Sequence, residues 1–190
     1  TKIAVVNPLR EPGLERYWVP SVLESAVFGT KLADDFFAVH TGGDRAFITG
    51  VLKALGERGG FDETFLAAHV EGFDAVRTQA AAAEWTELER GSGATRESMQ
   101  HFAQLYANAK TAIFVWSMGI TQHACGTDNV RAIANLATLT GNIGREFTGV
   151  NPLRGQNNVQ GASDAACAPT VLPGYQRVDT PEAREKFEQA

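Results

Sequence analysis

Ala112-Ile113-Phe114-Val115-Trp116-Ser117-Met118-Gly119-Ile120-Thr121-Gln122, followed at residues 127–141 by TDNVRAIANLATLTG, is the stretch on which the fold class turns. Five apolar, β-prone residues from Ala112 to Trp116 predict a strand, and Ser117-Met118-Gly119 stops it. Thr127 or Asp128 can cap a helix whose apolar face carries Val130, Ile133, Ala134, Ala137 and Leu139, with Gly141 as its C-terminal stop. Upstream, Thr95 opens a helix bearing Phe102, Leu105, Tyr106 and Ala109, with an incomplete capping box because Glu97 falls one place early. Helix, strand, loop and helix in succession predict an α/β layered domain of nucleotide-binding type.

Further toward the N-terminus, Ile3-Ala4-Val5-Val6 reads as a buried strand stopped by Asn7-Pro8. Pro8, Pro12, Gly13 and Pro20 then mark loops to about Ser21, and regular structure is ambiguous up to His40. Asp44 stands where an N-cap belongs, ahead of Ala46, Phe47, Gly50, Val51, Leu52 and Leu55 at helical spacing; Gly59-Gly60 ends that helix. Asp62 caps a short helix through about His69. Trp85 to Arg90 reads as another, closed by Gly91, and Ala80–Ala83 is a brief low-complexity run.

Composition is that of a globular chain, with 44% apolar and 21% charged residues. No apolar run approaches the roughly 18 residues of a membrane-spanning helix. A net charge of −5 without a basic block argues against a nucleic-acid partner. Residues 110–163 differ: Lys110, Arg131, Arg145 and Arg154 oppose Asp128 and Glu146, a balance of +2 that an anionic ligand would prefer. Cys125 and Cys167, the only cysteines, form no CxxC pair, which points away from a zinc site, an iron–sulfur site or a disulfide scaffold within these residues and toward a reducing, cytoplasmic compartment. A start on Thr1 without Met and an end on Gln189-Ala190 are read as those of a piece cut from a longer protein.

Ligands of open α/β sheets sit beyond the carboxyl ends of strands, which here means Asn7 and Ser117–Gln122. Gly119 permits close backbone approach, and Gln122 offers an amide donor and acceptor to a heterocycle edge. An ordinary strand-to-helix loop explains the same residues. Asn151–Asp164 carries one Arg and five amide side chains, which suits a polar anionic ligand but also a polar surface loop. His123-Ala124-Cys125 lacks further metal partners, and His40, His69 and His101 stand in no triad-like arrangement.

The order of motifs goes further. "GNIGREFTGVNPLRGQNNVQGASD" and, before it, "WSMGITQHACGTDNVRAIANLATLTGNIG" closely resemble the formate dehydrogenases of the molybdopterin oxidoreductase superfamily, as do "TGGDRAFITGVLKAL" and "PGYQRVDTPEAREKF". The resemblance implies the catalytic (alpha) subunit of an oxidoreductase in which two molybdopterin guanine dinucleotides hold molybdenum or tungsten. It places Gly43 and Asp44 at a nucleotide end of the cofactor, with Asn7 near the same nucleotide. Met118, Gly119 and Gln122 lie against a pterin, and Arg154, Gly155 and Gln156 lie beside the metal. Arg154 would orient the formate carboxylate. In the family the metal-ligating Cys or selenocysteine and the 4Fe-4S cysteines precede this segment, so no metal ligand is assigned here.

Residues 1–155 are thus expected to form a cofactor-binding α/β domain and 156–190 the start of a second. Electrons from formate, or from another small substrate, would pass to electron-transfer subunits. Alternatives are a related molybdopterin oxidoreductase of unknown substrate and a non-catalytic scaffold that retains the fold. Three departures stand out. "NPLREPGLERYWVPSVLESAVFGTKLADDFF" is more similar to a less characterised branch of the superfamily; Phe147 replaces a small residue or Gly, and Ala165-Ala166-Cys167 replaces a stretch that usually has a Gly.

Overall fold

In chain order a first unit, Thr1–Asn151, runs β1 (Ala4–Asn7), α1 (Pro12–Glu15), β2 (Arg16–Tyr17), α2 (Leu23–Phe28), β3 (Thr30–Lys31), β4 (Asp35–Ala38), α3 (Asp44–Glu57), α4 (Glu63–His69), α5 (Phe73–Ala82), α6 (Trp85–Ser92), α7 (Arg96–Ala107), β5 (Ile113–Trp116), α8 (Met118–Thr121) and α9 (Gly126–Leu139). The next strand, β6 (Gly149–Pro152), ends at the division between units. The second unit, from Pro152 onward, holds α10 (Val159–Asp164), the antiparallel pair β7 (Val171–Leu172) and β8 (Gln176–Arg177), and α11 (Pro181–Glu188). This computed structural model describes residues 1–189.

The stretch that was ambiguous in sequence is a crossover. β1 pairs in parallel with β4, Ala4 opposite Asp35 and Asn7 opposite Ala38, and α1, the short antiparallel pair β2–β3 and α2 lie between them. β4 begins on acidic Asp35 and is only four residues long, which hides it from a periodicity reading. β5 pairs with β6, and the Gly149 N–H donates to the Ala112 carbonyl at 3.3 Å, just ahead of β5. Helices with parallel and mixed strands make this an α/β fold.

The core of the first unit gathers on α3. Phe47, Ile48, Val51, Leu52, Ala54 and Leu55 are buried there at helical spacing, and α5, α6, α7 and α9 pack around them. Aromatic rings carry the core outward: Phe102 of α7 meets Phe37 of β4 edge-on at 5.0 Å and Phe47 at 5.5 Å, while Tyr106 meets Phe114 of β5 at 5.4 Å. Gly50 fixes how closely α3 and α7 cross. A Cβ at that position would stand 2.1 Å from the Sδ of fully buried Met99, so the missing side chain is a packing requirement.

Helix ends explain several sequence signals. After α3 the Gly60 N–H donates to the Leu55 carbonyl with Gly59 at φ +66°, and after α9 the Asn142 N–H donates to Ala137 with Gly141 at φ +64°; both are Schellman caps. Asn142 then accepts from the Ala112 N–H at 3.0 Å and donates to the Tyr106 hydroxyl at 2.9 Å, tying α9 to β5 and α7. Burial pushes the Tyr106 phenol up to about 12, opposed by hydrogen bonds from Thr140 and Asn142, so it stays a neutral donor.

Four expectations need correction. The residue preceding α3 is Gly43, and Asp44 is the first helical residue and makes no side-chain cap. α6 continues to Ser92 and is closed by left-handed Gly93 rather than by Gly91. α9 starts at Gly126, ahead of Thr127 and Asp128, with no side-chain cap, and β1, expected to be a buried strand, has no buried residue.

Two of the three departures from the family pattern fall on left-handed backbone. Phe147 has φ +61°, and Ala166 has φ +68° at the C′ position of a Schellman cap on α10, where the Cys167 N–H donates to Ala162. L residues carry a cost of about 1–2 kcal/mol there that glycine avoids. Phe147 is 72% exposed, so its ring contributes little burial in return. Phe147→Gly in the full-length protein is therefore expected to raise unfolding free energy by about 1 kcal/mol in urea titrations; a lower midpoint would contradict strain at this site.

Candidate functional site

β1 and β4 run in parallel, so Asn7 and the loop that follows Ala38 leave the same end of the pair. Asn7 is half-buried, with its side-chain amide donating to the Leu9 carbonyl at 2.7 Å. The loop after β4 is seated on the end of α6. The His40 N–H donates to the Ser92 carbonyl at 2.6 Å, and a Cβ on Gly43 would stand 2.8 Å from the Ser92 oxygen and 2.9 Å from that of Gly91. Backbone contact alone thus requires glycine at position 43, before any ligand is considered.

The loop after β5 begins with the single turn α8. Met118 is 52% exposed, no atom lies within 4 Å of where a Cβ on Gly119 would be, and exposed Gln122 reaches only the Met118 sulfur, at 3.4 Å. α9 holds this turn from beneath. Fully buried Asn129 donates to the Ile120 carbonyl at 3.0 Å, and a Cβ on Gly126 would lie 2.1 Å from the Thr121 oxygen. Trp116, at the end of β5, has a buried indole N–H without a hydrogen-bond partner.

The two loops converge at His123, which sequence reasoning set aside. Its Nε2 lies 2.9 Å from the Gly119 carbonyl, and its Nδ1 lies 4.0 Å from where a Cβ on Gly42 would be. Nearby, Arg45 at the start of α3 stands 3.7 Å from Asp128 at the start of α9, and Asp128 also meets Arg131 at 3.2 Å. Burial raises the Asp44 carboxyl pKa above its ordinary value, against the opposing pull of its backbone hydrogen bond and of His123. Gly43, Asp44, Met118, Gly119 and Gln122 therefore belong to one neighbourhood of the first unit.

Arg154, Gly155 and Gln156 lie in the second unit, on an exposed irregular stretch. An Arg154 guanidinium nitrogen stands 3.4 Å from the Gln160 amide oxygen, and the Gln160 amide donates to Asp164 at 3.3 Å. One long hydrogen bond leaves most of the guanidinium fork available to an incoming carboxylate. Elsewhere, Cys125 is half-buried beside Asn129 and Cys167 is exposed, both as free thiols. Among the described residues no group of three or more His, Cys, Asp or Glu is placed to hold a metal ion. His101 pairs with Asp35 at 3.1 Å and His69 lies against the Phe65 ring, both surface packing arrangements.

Comparison with known proteins decides the family. The sequence profile of the molybdopterin oxidoreductase family matches residues 64–187. The chain belongs to that family. It is 38% identical over 171 residues to formate dehydrogenase H of Escherichia coli, covering 90% of this chain and 23% of that protein. It is 35% identical to the F420-dependent formate dehydrogenase 1 subunit alpha of Methanococcus maripaludis over 190 residues, 100% of this chain and 26% of the relative. It is also 38% identical over 192 residues to the Escherichia coli protein YdeP, covering 94% and 25%. Acetylene hydratase from Pelobacter acetylenicus shares the fold, with a TM-score of 0.60 over 74% of this chain and 17% of its own at 17% identity. The chain spans about a quarter of the length of the curated relatives it matches.

Family membership implies a molybdenum- or tungsten-pterin cofactor, and the β4 and β5 loops suit one. An exposed thioether, an open glycine, an exposed amide and a half-buried carboxyl offer apolar contact plus donors and acceptors to a polar heterocycle. The raised carboxyl has a consequence for stability. Asp44 binds its proton more readily folded than unfolded, so its unfavourable contribution is absent below 3.8, grows as pH rises, and is fully present above the folded value. Asp44→Asn in cofactor-free full-length protein is expected to melt at a higher temperature than wild type at pH 7, with the gap closing as pH falls toward 3.8. Equal midpoints at pH 7 would contradict a burial cost on the carboxylate.

Proposed function

We propose that this chain is part of the catalytic subunit of a formate dehydrogenase that carries molybdenum or tungsten on two molybdopterin guanine dinucleotides. The observation that carries the reading is the convergence of the β4 and β5 loops at His123, because those loops hold most of the residues that resemble the family's cofactor-binding segments. In this reading Asn7, Gly43 and Asp44 attend a nucleotide end, Met118, Gly119 and Gln122 lie against a pterin, and Gly155 and Gln156 lie beside the metal. Identity of 38% to formate dehydrogenase H and of 35% to a formate dehydrogenase subunit alpha supports formate as the substrate.

Oxidising formate to carbon dioxide releases one proton and two electrons. The bound cofactor supplies the redox chemistry and takes up the electrons. What this chain contributes is placement: the Arg154 fork holds both carboxylate oxygens, which fixes the direction of the C–H bond and offsets the substrate's charge. A 4Fe-4S cluster held by residues outside this chain, and electron-transfer subunits beyond it, would receive the electrons. Two unpaired thiols favour a cytoplasmic setting. Among the described residues no helix is long and apolar enough to cross a membrane.

A second reading, a related oxidoreductase with another small substrate, draws on the similarity to YdeP and on the β1-to-β4 crossover, whose sequence is more similar to a less characterised branch of the superfamily. Arg154→Lys in the full-length enzyme separates them, because lysine keeps the charge and loses the fork. The formate reading expects kcat/KM for formate to fall about a hundredfold with pterin content unchanged. Wild-type kinetics in that variant would remove Arg154 from its role, and a wild-type enzyme full of pterin yet inert toward formate would favour the second reading.

A further inference from the structure

We propose that His123 is a positioning residue that clamps the α8 turn to the loop after β4 and so sets the spacing of the two cofactor-facing segments. The inference rests on the cofactor reading above and assigns a task to a residue that reading left unused. A carbonyl oxygen can only accept, so the 2.9 Å contact with Gly119 requires His123 to carry hydrogen on Nε2 and to donate it. The ring's other edge then faces the β4 loop, with Nδ1 4.0 Å from the Cβ position of Gly42, whose φ of +82° suits glycine. One rigid ring therefore bonds the α8 turn and stands in the space beside Gly42 of the β4 loop.

α8 needs such a tie on this side. It is one turn of four residues, and its anchors from Asn129 and Gly126 both come from α9. Those contacts fix α8 to the helix beneath it but do not reach the β4 loop. Removing the imidazole exposes the Gly119 carbonyl to water, where it finds a new partner, so the fold loses little. The gap between Asp44 and Met118–Gln122 then loses its spacer, and ligand sites tolerate such looseness poorly.

The test compares full-length protein carrying His123→Ala, His123→Gln and His123→Asn for pterin content, read by fluorescence after oxidative release, and for the melting temperature of cofactor-free protein. The glutamine amide reaches the place of Nε2 and can still donate to Gly119, whereas the asparagine amide falls short. Expected are a roughly tenfold loss of pterin in the Ala and Asn variants, recovery in the Gln variant, and cofactor-free melting within about 2 °C of wild type in all three. Wild-type pterin content in His123→Ala would overturn the proposal. So would pterin losses that track the cofactor-free melting temperature across the series, which would mark a merely structural role. Wild-type protein that carries no pterin at all would overturn the proposed function, and this inference with it.

Discussion

Close approach to helix α3 at two glycines is the constraint on which the rest of the first unit depends. At Gly50 the helix crosses α7 so tightly that Met99 occupies the space a side chain would need, and at Gly43 its start rests on the carbonyls of Gly91 and Ser92. A side chain at Gly43 would push the start of α3 off the end of α6, and one at Gly50 would force Met99 from its place in the core. That displacement would reach the strand-end loop that precedes α3 and, through Phe47 and Phe102, the β4 and β5 strands themselves. Core packing and loop placement are thus one problem here, since interiors packed to crystal-like density pass shifts along rather than absorb them.

The acidic group at the start of α3 fits this picture. Asp44 occupies the first turn of a long helix, where a negative charge is favoured by the helix dipole, yet burial outweighs that help and raises its carboxyl pKa. Groups held at a cost to folding are often retained for binding, and Asp44 faces the neighbourhood of exposed Met118, open Gly119 and Gln122. Arg45, Asp128 and Arg131 keep the charge of that neighbourhood mixed, so its electrostatics depend on which of these groups a ligand engages.

Much of this was legible in the sequence, for identifiable reasons. α3 and α9 announced themselves by periodicity and by glycine stops, because each buries one continuous face, and β5 by its run of β-prone residues. β4 and the pieces of the crossover did not, since strands of two to four residues carry too few positions to show alternation. At the candidate site, Gly119 and Gln122 could be noticed from type and place, which suit an ordinary loop as well, and only the family resemblance implies a cofactor role for them. Gly43 could be singled out too, but its packing against Gly91 and Ser92 joins residues almost fifty positions apart, which no local pattern records. His123 was missed for the same reason: its hydrogen bond to Gly119 is local, while its place beside Gly42 exists only after folding. Phe147 and Ala166 were visible as departures from a family pattern, and their positive φ angles supply the physical meaning of the glycine they replace.

The central claim is that the loops after β4 and β5 form one cradle for a pterin-based cofactor. A structure of the full-length protein purified with its cofactor tests it most directly. The account predicts that Gly119 or Gln122 lies within contact distance of a pterin and that Asp44 lies within contact distance of the nucleotide end. A cofactor that touches neither loop would contradict it.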